Sequence, residues 1–153
     1  MATSPTKEAL IQGFDRRIQD ALRWYETYGE KSSGKVGVWG AKEVLAHCIF
    51  WHLTTAEGME AVGRGGNPRS LNAPTDELNA QAVAQRAGKS LADLIAEARQ
   101  AHLRLVLAVR ALPDLEKTVL LRADGTTQTA RQRLERIANH WWEHIDQLEG
   151  KHP

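Results

Sequence analysis

The sequence predicts one all-α domain folded as a four-helix bundle, with a short extra helix between the second and third long helices. Four long segments repeat apolar residues at spacings of three and four, which is the period of an amphipathic α-helix. Strand signals are scarce, because Thr118–Leu121 is the only run rich in β-branched residues and leucine, and it is short. At 153 residues the chain fits a single domain, which we expect to span positions 1–153.

The first two long helices are expected on either side of a polar loop. The first is predicted over Pro5–Tyr28, with Ser4 as its N-cap and Gly29 just after its end. The second is predicted over Ala41–Val62, where apolar residues cover a wide arc, as in a well-buried bundle member. Positions 29–38 between them are rich in glycine, serine and lysine, which indicates a loop.

A connection rich in glycine, proline and asparagine follows the second long helix. The short extra helix is predicted over Thr75–Ala87, with Thr75 as its cap and Gly88 closing it. Ser90 is then expected to cap the third long helix, and Pro113 to stop it. Because this connection is long, helices adjacent in the sequence need not be neighbours in the bundle.

The fourth long helix is predicted to begin after a capping box formed by Thr129 and Gln132. The segment 115–127 before it is expected to be irregular, with a turn at Asp124-Gly125. Together with the three helices before it, this element completes the predicted all-α bundle.

Composition excludes several classes of function. Twenty basic and nineteen acidic side chains give a net charge of +1, which offers no field for nucleic acid or for anionic lipid. No run of about 18 apolar residues occurs, so we expect no membrane-spanning helix. The single cysteine, Cys48, rules out an internal disulfide framework and suits the reducing cytoplasm, where we expect the protein to reside.

Three of the six histidines are candidates for a metal site. His140 and His144 lie four residues apart on the fourth long helix, and therefore one turn apart on one face. His47 lies among apolar residues of the second helix, again on the inward side. Three neutral imidazoles that converge inside a bundle can hold one divalent ion and leave a coordination position open, as catalytic metal sites do.

The histidines also have a plainer interpretation. A pair at this spacing arises often by chance, and a half-buried histidine is commonly only hydrogen-bonded. His52 lies about 140° round the helix from His47 and should point elsewhere. His102 is expected to be a hydrogen-bonded core residue or a pocket residue, and His152 to be solvated. Spacing alone therefore leaves both interpretations open.

Two motifs resemble those of a known family. In Val38–His47 a tryptophan precedes a small residue, a lysine–acid pair follows, and Ala-His ends the motif before a hydrophobic stretch. His140 and His144 form a His-x-x-x-His on the last helix, and Asn79 stands at a matching place between the two motifs. In helix order and length the chain resembles the DinB/YfiT-like superfamily over nearly all of its length.

This resemblance implies a four-helix bundle in which three histidines bind a divalent metal, commonly nickel, zinc or iron. Carried over to this chain, the ligands would be His47, His140 and His144. Characterised relatives include mycothiol-dependent maleylpyruvate isomerase and bacillithiol S-transferases, so the resemblance implies a low-molecular-weight thiol as cofactor and a small molecule as substrate. A metal with three neutral ligands keeps its charge and lowers the pKa of a bound thiol or water.

Several residues near the motifs have lesser expected roles. Trp51 and Trp141 are candidate pocket walls, with plain core packing as the alternative, and Trp39 is expected to seal one end of the bundle. Glu143 projects about 100° from His144 and is expected to be a surface carboxylate. Cys48 is expected to be a small buried hydrophobe and not a nucleophile.

The basic residues outside the motifs are expected to be peripheral. The loop Gly63–Arg69 is glycine-rich and basic, so it could border the mouth of a pocket and meet an anionic substrate. Arg131, Arg133 and Arg136 are expected on the outward part of the fourth long helix. Because the overall charge is near zero, they are weak evidence for DNA binding.

The leading hypothesis for function is a metal-dependent enzyme acting on a small molecule, either a thiol-dependent S-transferase or isomerase, or a hydrolase. The rival hypothesis is a non-catalytic small-molecule-binding or self-resistance protein of the DfsB-like kind, which uses the same pocket. A third hypothesis is a homodimer whose surplus tryptophans form the interface. Neither nucleic acid nor a membrane is expected as a partner.

Overall fold

The computed structural model describes residues 6–150, so the predicted cap Ser4 and the tail residue His152 lie outside the described residues. Within that range four long helices form a bundle, and a short helix and three short strands fill one connection and the approach to the last helix. The helices are α1 (Lys7–Trp24), α2 (Ala41–Gly63), α3 (Thr75–Gln85), α4 (Leu91–Ala111) and α5 (Ala130–Leu148).

The long helices do not pack in the order of the sequence. α1 packs against α4 and α5, and α2 packs against the same two helices, with its most extensive contact to α4. α1 and α2 therefore occupy opposite corners of the bundle, and α5 is a direct neighbour of both. The long connection itself joins α2 and α4, which pack together most extensively, whereas α1 and α2, the pair without an extensive contact, are joined by the loop before Ala41.

Local capping explains most of the helix ends. α1 begins after Thr6, whose hydroxyl accepts a hydrogen bond from the backbone N–H of Ala9, and it continues beyond Trp24 as a π-helical turn over Tyr25–Gly29. The predicted caps Ser90 and Thr129 are both confirmed by hydroxyls that accept backbone N–H bonds. Thr75 is the first residue of α3 and not its cap, because Pro74 occupies the N-cap position.

The all-α prediction is wrong in one respect, because the structure contains a small three-stranded sheet. The strands β1 (Arg69–Ser70), β2 (Thr118–Leu121) and β3 (Thr127–Thr129) are ordered β1-β2-β3, with the first pair parallel and the second antiparallel. Segment 115–127, expected to be irregular, therefore contributes a hairpin, which turns at Gly125 with a φ of +89°. Strands this short are not stable alone.

Packing on α2 is what stabilises the sheet. Val119 and Leu120 are fully buried, and β2 lies against the helix beside Gly58. Leu120 also joins a small second core with Trp51, Leu71 and Leu78, to which α3 contributes. The sheet and α3 thus form a wall on one side of α2, next to the residues described below.

The surplus tryptophans serve the interior of the domain. Trp24, Trp51 and Trp141 are buried, and Trp39 and Trp142 pack partly buried against the main core. The indole N–H of Trp142 donates to the backbone carbonyl of Arg17 at 3.0 Å, which ties α5 to α1. Within the described residues, no helix is both long and apolar enough to cross a bilayer.

Candidate metal centre

α2 and α5 bring the three predicted histidines together. The ring centre of His47 lies 5.1 Å from that of His140 and 5.0 Å from that of His144, and the last two ring centres lie 4.2 Å apart. One nitrogen from each ring lies within 4.8 Å of the nitrogens of the other two. The inward faces inferred from helical spacing therefore meet at one point.

The motif around His47 has a local structural explanation. The backbone N–H of Gly40 donates to the carboxylate of Glu43 at 3.0 Å, which satisfies a free donor at the start of α2. The ring of Trp39 then lies 5.3 Å from the ring of His47 and covers it from the bundle end, in agreement with its expected sealing role. His47 is consequently only 1% exposed.

Hydrogen bonds orient two of the three imidazoles. Nδ1 of His47 lies 2.6 Å from the carbonyl oxygen of Val44, and Nδ1 of His144 lies 2.8 Å from Oε1 of Gln147. Each of these nitrogens donates its proton to an oxygen, so the Nε2 atom of each ring offers a lone pair. Such outer partners are typical of histidines that ligate metals, because they fix the tautomer and the ring orientation.

Burial keeps the three rings neutral. Burial, and then the neighbouring His144, lower the pKa of His47 to about 4. Burial together with the two other histidines and two arginines lowers the pKa of His140 to about 3. The pKa of His144 is also lowered, mainly by burial. Neutral imidazole is the form that binds metal, so this donor set is ready at neutral pH and fits a divalent ion.

A hydrogen bond without metal accounts for only part of this geometry. Nε2 of His140 lies 2.7 Å from Nε2 of His144, which a proton shared between the two rings explains. That bond does not involve the third ring, because within residues 6–150 His47 forms its hydrogen bond through Nδ1 alone. A cation at the common point would engage all three rings.

A cavity of about 160 Å³ opens beside the cluster, and His140 forms part of its wall. The two tryptophans expected as pocket walls, Trp51 and Trp141, both line it. The indole N–H of Trp51 donates to Oδ1 of Asn79 at 2.7 Å, so α3 fixes the orientation of this wall. The other lining residues are Cys48, Thr75, Asn79, Arg122, Arg133, Arg136 and Ile137.

The expectation that the arginines of α5 all point outward is wrong for Arg133. This residue is 2% exposed, and its guanidinium donates to Thr55 and Gln128. Arg133, Arg136, His140 and His144 follow one another at spacings of three and four residues, which places them on one stripe of α5. That spacing is visible in the sequence and could have identified the two arginines as neighbours of the histidines.

Several residues that are near the histidines in the sequence take no part in the site. Cys48 borders the cavity but is only 1% exposed, and burial raises the pKa of its thiol well above its ordinary value, so it is not a nucleophile. Glu143 is exposed, as expected. The loop Gly63–Arg69 does not line the cavity, and Arg69 forms an ion pair with Glu57. The basic residues at the cavity are Arg122, which directly follows β2, and two arginines of α5.

Two further histidines form a separate buried cluster. Nε2 of His52 lies 3.1 Å from Nδ1 of His102, and Nε2 of His102 lies 2.7 Å from a carboxylate oxygen of Asp15. His52 thus points away from His47, as its helical position predicts, and His102 is a hydrogen-bonded core residue. The sequence contains no signal that these two contact each other.

Comparison with known proteins agrees with this fold. A crystal structure of the mycothiol-dependent maleylpyruvate isomerase superimposes with a TM-score of 0.71 at 20% identity, and a histidine-to-alanine mutant of that enzyme with 0.74 at 17%. Each superposition covers 97% of this chain and 63% of the isomerase chain, so this chain spans less than two-thirds of the isomerase. No curated protein matches its sequence. The family model of the DinB superfamily matches residues 30–148, and the chain therefore belongs to the DinB superfamily.

Proposed function

We propose that this protein is a divalent-metal-dependent enzyme that uses a low-molecular-weight thiol and acts on a small-molecule electrophile. It either transfers the thiol to the electrophile or uses the thiol to isomerise it. The observation that carries the proposal is the convergence of three neutral imidazoles, one of which, that of His140, lines a cavity. The metal ligands in this proposal are His47, His140 and His144. The fold shared with a mycothiol-dependent enzyme supports the choice of a thiol.

The donor set limits the choice of metal. Three imidazole nitrogens suit zinc, nickel or iron better than calcium or magnesium, which prefer oxygen ligands. When bound, such an ion supplies a positive charge that favours the thiolate form of a thiol or the hydroxide form of water. Val44 and Gln147 would hold the ligand rings in place through the hydrogen bonds to His47 and His144.

The protein does not supply the nucleophile from the cavity wall. Cys48 is buried with a raised pKa, and the hydroxyl of Thr75 already accepts a hydrogen bond from Arg122. The described lining contains no serine, and no carboxylate that could activate a hydroxyl group or water. A reaction in this cavity therefore requires an external nucleophile that is easily ionised, and a thiol fits better than water because its ordinary pKa is far lower. Trp51 and Trp141 would exclude water from the reacting groups.

Metal analysis of purified protein tests the ligand set. Protein prepared without chelator should contain about one nickel, zinc or iron per chain by elemental analysis, and His47→Ala, His140→Ala and His144→Ala should each lower that content sharply. Glu143→Gln is the matched control, because it changes an exposed neighbour on the same helix and should leave the content unchanged. Metal-free wild type that gains no thermal stability from added zinc or nickel would refute the site.

The reaction is tested separately. Metal-loaded protein should conjugate a thiol such as cysteine or glutathione to a panel of electrophiles faster than the metal-free protein does. If thiol consumption is the same with and without metal while the metal is bound, the enzyme proposal fails and the metal is structural.

A non-catalytic binding or self-resistance role is the second candidate, and one observation favours it. The described cavity lining offers no carboxylate to move a proton, which suits retention of a ligand more than its conversion. This role predicts that small molecules stabilise the protein without turnover, and that the effect survives replacement of the histidines. The hypothesis of a homodimer relied on tryptophans at an interface, and three of the five are buried inside the protein instead. Measuring molecular size on dilution tests whether a dimer forms.

A further inference from the structure

The cavity beside the three histidines carries three guanidinium groups and no carboxylate within the described residues. Arg122 directly follows β2, and Arg133 and Arg136 come from α5. The chain as a whole is almost neutral, so this charge is concentrated locally. Like charges gathered at one cavity repel one another, and an opposite charge placed between them relieves that repulsion.

Arg133 is the strongest indication that the cavity accommodates an anion. A buried arginine is normally paired with a carboxylate, because an unpaired buried charge is costly. The partners of Arg133 are neutral: Oγ1 of Thr55 at 3.1 Å and Oε1 of Gln128 at 3.0 Å. No ion pair to Arg133 occurs between residues 6 and 150, and two donors at most are satisfied out of the five that a guanidinium carries.

Among residues 6–150, the two other arginines have no carboxylate beside them at the cavity. Arg122 donates to the hydroxyl of Thr75 at 3.0 Å, and its guanidinium lies 5.0 Å from the ring centre of Trp51. Arg136 is exposed at the rim. The acid whose charge acts on Arg122 is Asp124, which does not line this cavity. The same tryptophan ring lies 5.6 Å from the guanidinium of Arg133, so the charges are arranged around one aromatic wall.

We infer that this cavity is an oxyanion-binding subsite, in which Arg122, Arg133 and Arg136 bind a carboxylate or phosphate group of the small molecule. Guanidinium groups match both anions, because their planar fork donates two parallel hydrogen bonds. His140 lines the same cavity, so an anion held by the arginines places the rest of the molecule beside the histidine cluster. The arginines are specificity-determining residues, and that part of the inference rests on the proposed function.

The size of the cavity limits what it can take. A volume of about 160 Å³ is close to the roughly 150 Å³ of an engineered cavity that binds benzene. The subsite therefore suits a small organic acid, or one charged arm of a larger molecule. Malonate, which has two carboxylates on three carbons, is a suitable probe, and malonamide is its uncharged counterpart of nearly the same shape.

Calorimetric titration of the metal-loaded protein tests the subsite. Malonate should bind, and malonamide should bind at least tenfold more weakly. Arg122→Gln and Arg136→Gln should each raise the Kd for malonate about tenfold, because each removes a charge-assisted contact. Arg131→Gln is the matched control, since Arg131 lies on the same helix but pairs with Glu116 outside the cavity, and it should change nothing. Arg133→Lys, which keeps the charge but loses the fork, should also weaken binding.

Two further measurements separate this inference from the metal site. The arginine variants should retain the metal content of the wild type. Because His47 does not line the cavity, the His47→Ala variant should lose metal but still bind malonate. Binding that disappears in His47→Ala and survives in both glutamine variants would make the anion a metal ligand and overturn the inference. Equal affinities for malonate and malonamide would overturn it as well. Inorganic phosphate, titrated in parallel, shows which of the two oxyanions the subsite prefers.

Discussion

Replacement of Gly58 by alanine tests the contact between the sheet and α2, on which the cavity wall depends. In an exposed helix interior, a glycine-to-alanine change stabilises a protein by about 1 kcal/mol. Gly58 lies against the carbonyl group of Val119 in β2, and a Cβ there would overlap with that carbonyl. Overpacking of this kind costs about 1–3 kcal/mol. We therefore expect Gly58→Ala to lower the free energy of unfolding by up to about 2 kcal/mol.

Gly13→Ala supplies the matched control in α1. A Cβ at Gly13 would meet no atom within 4 Å, so this change should raise the free energy of unfolding by about 1 kcal/mol. Both variants are compared with the wild type by urea unfolding at pH 7, with equal m-values as the check on two-state behaviour. If Gly58→Ala stabilises the protein as Gly13→Ala does, β2 does not lie on α2, and the reasoning about the cavity wall is refuted.

Three more predictions concern the site. The free energy of unfolding of the metal-free protein should fall by about 2 kcal/mol between pH 7 and pH 5. The cause is His47, whose pKa is about 4 in the folded protein and 6.5 ordinarily. The contribution of His47 to stability is complete above pH 6.5 and is lost as the pH drops toward 4. Urea unfolding of His47→Gln should show a flatter pH profile, and an unchanged one would contradict this cause. Zinc at about a hundredfold its Kd should add about 2.7 kcal/mol, seen as a rise in Tm that His144→Ala abolishes. Asn79→Ala should cost about 1 kcal/mol of unfolding free energy, because the hydrogen bond from Trp51 is lost; the same change made in a Trp51→Phe background should cost much less, and an equal cost in both backgrounds would argue against a shared bond.

The sequence predicts the helices well because their signals are local. Periodic apolar residues and the hydroxyl caps at Ser90 and Thr129 depend on neighbours within a few positions, and both caps are present. The sheet escapes prediction for the opposite reason. Thr118–Leu121 contains strand-forming residues, but a strand of four residues is stable only on the surface that α2 and α3 provide.

Arg133 illustrates the same division at the cavity. Its spacing from His140 places it on the same stripe of α5 as the histidines. Its charge instead favours the surface, and an outward position is predicted for that reason. Its partners Thr55 and Gln128 lie on α2 and β3, so no local pattern in the sequence predicts these contacts. The pair of His52 and His102 is similar, because the two residues are fifty positions apart on α2 and α4.

Which residues share a helical face follows from the sequence alone, because the period of an α-helix depends only on spacing along the chain. The four-residue spacing of His140 and His144 therefore suffices to make them neighbours on α5. Which faces meet was decided only by the tertiary structure, because it depends on the packing of α2 against α5 and of the sheet against α2. That packing adds His47 to the pair and places three arginines and Trp51 around one cavity beside it.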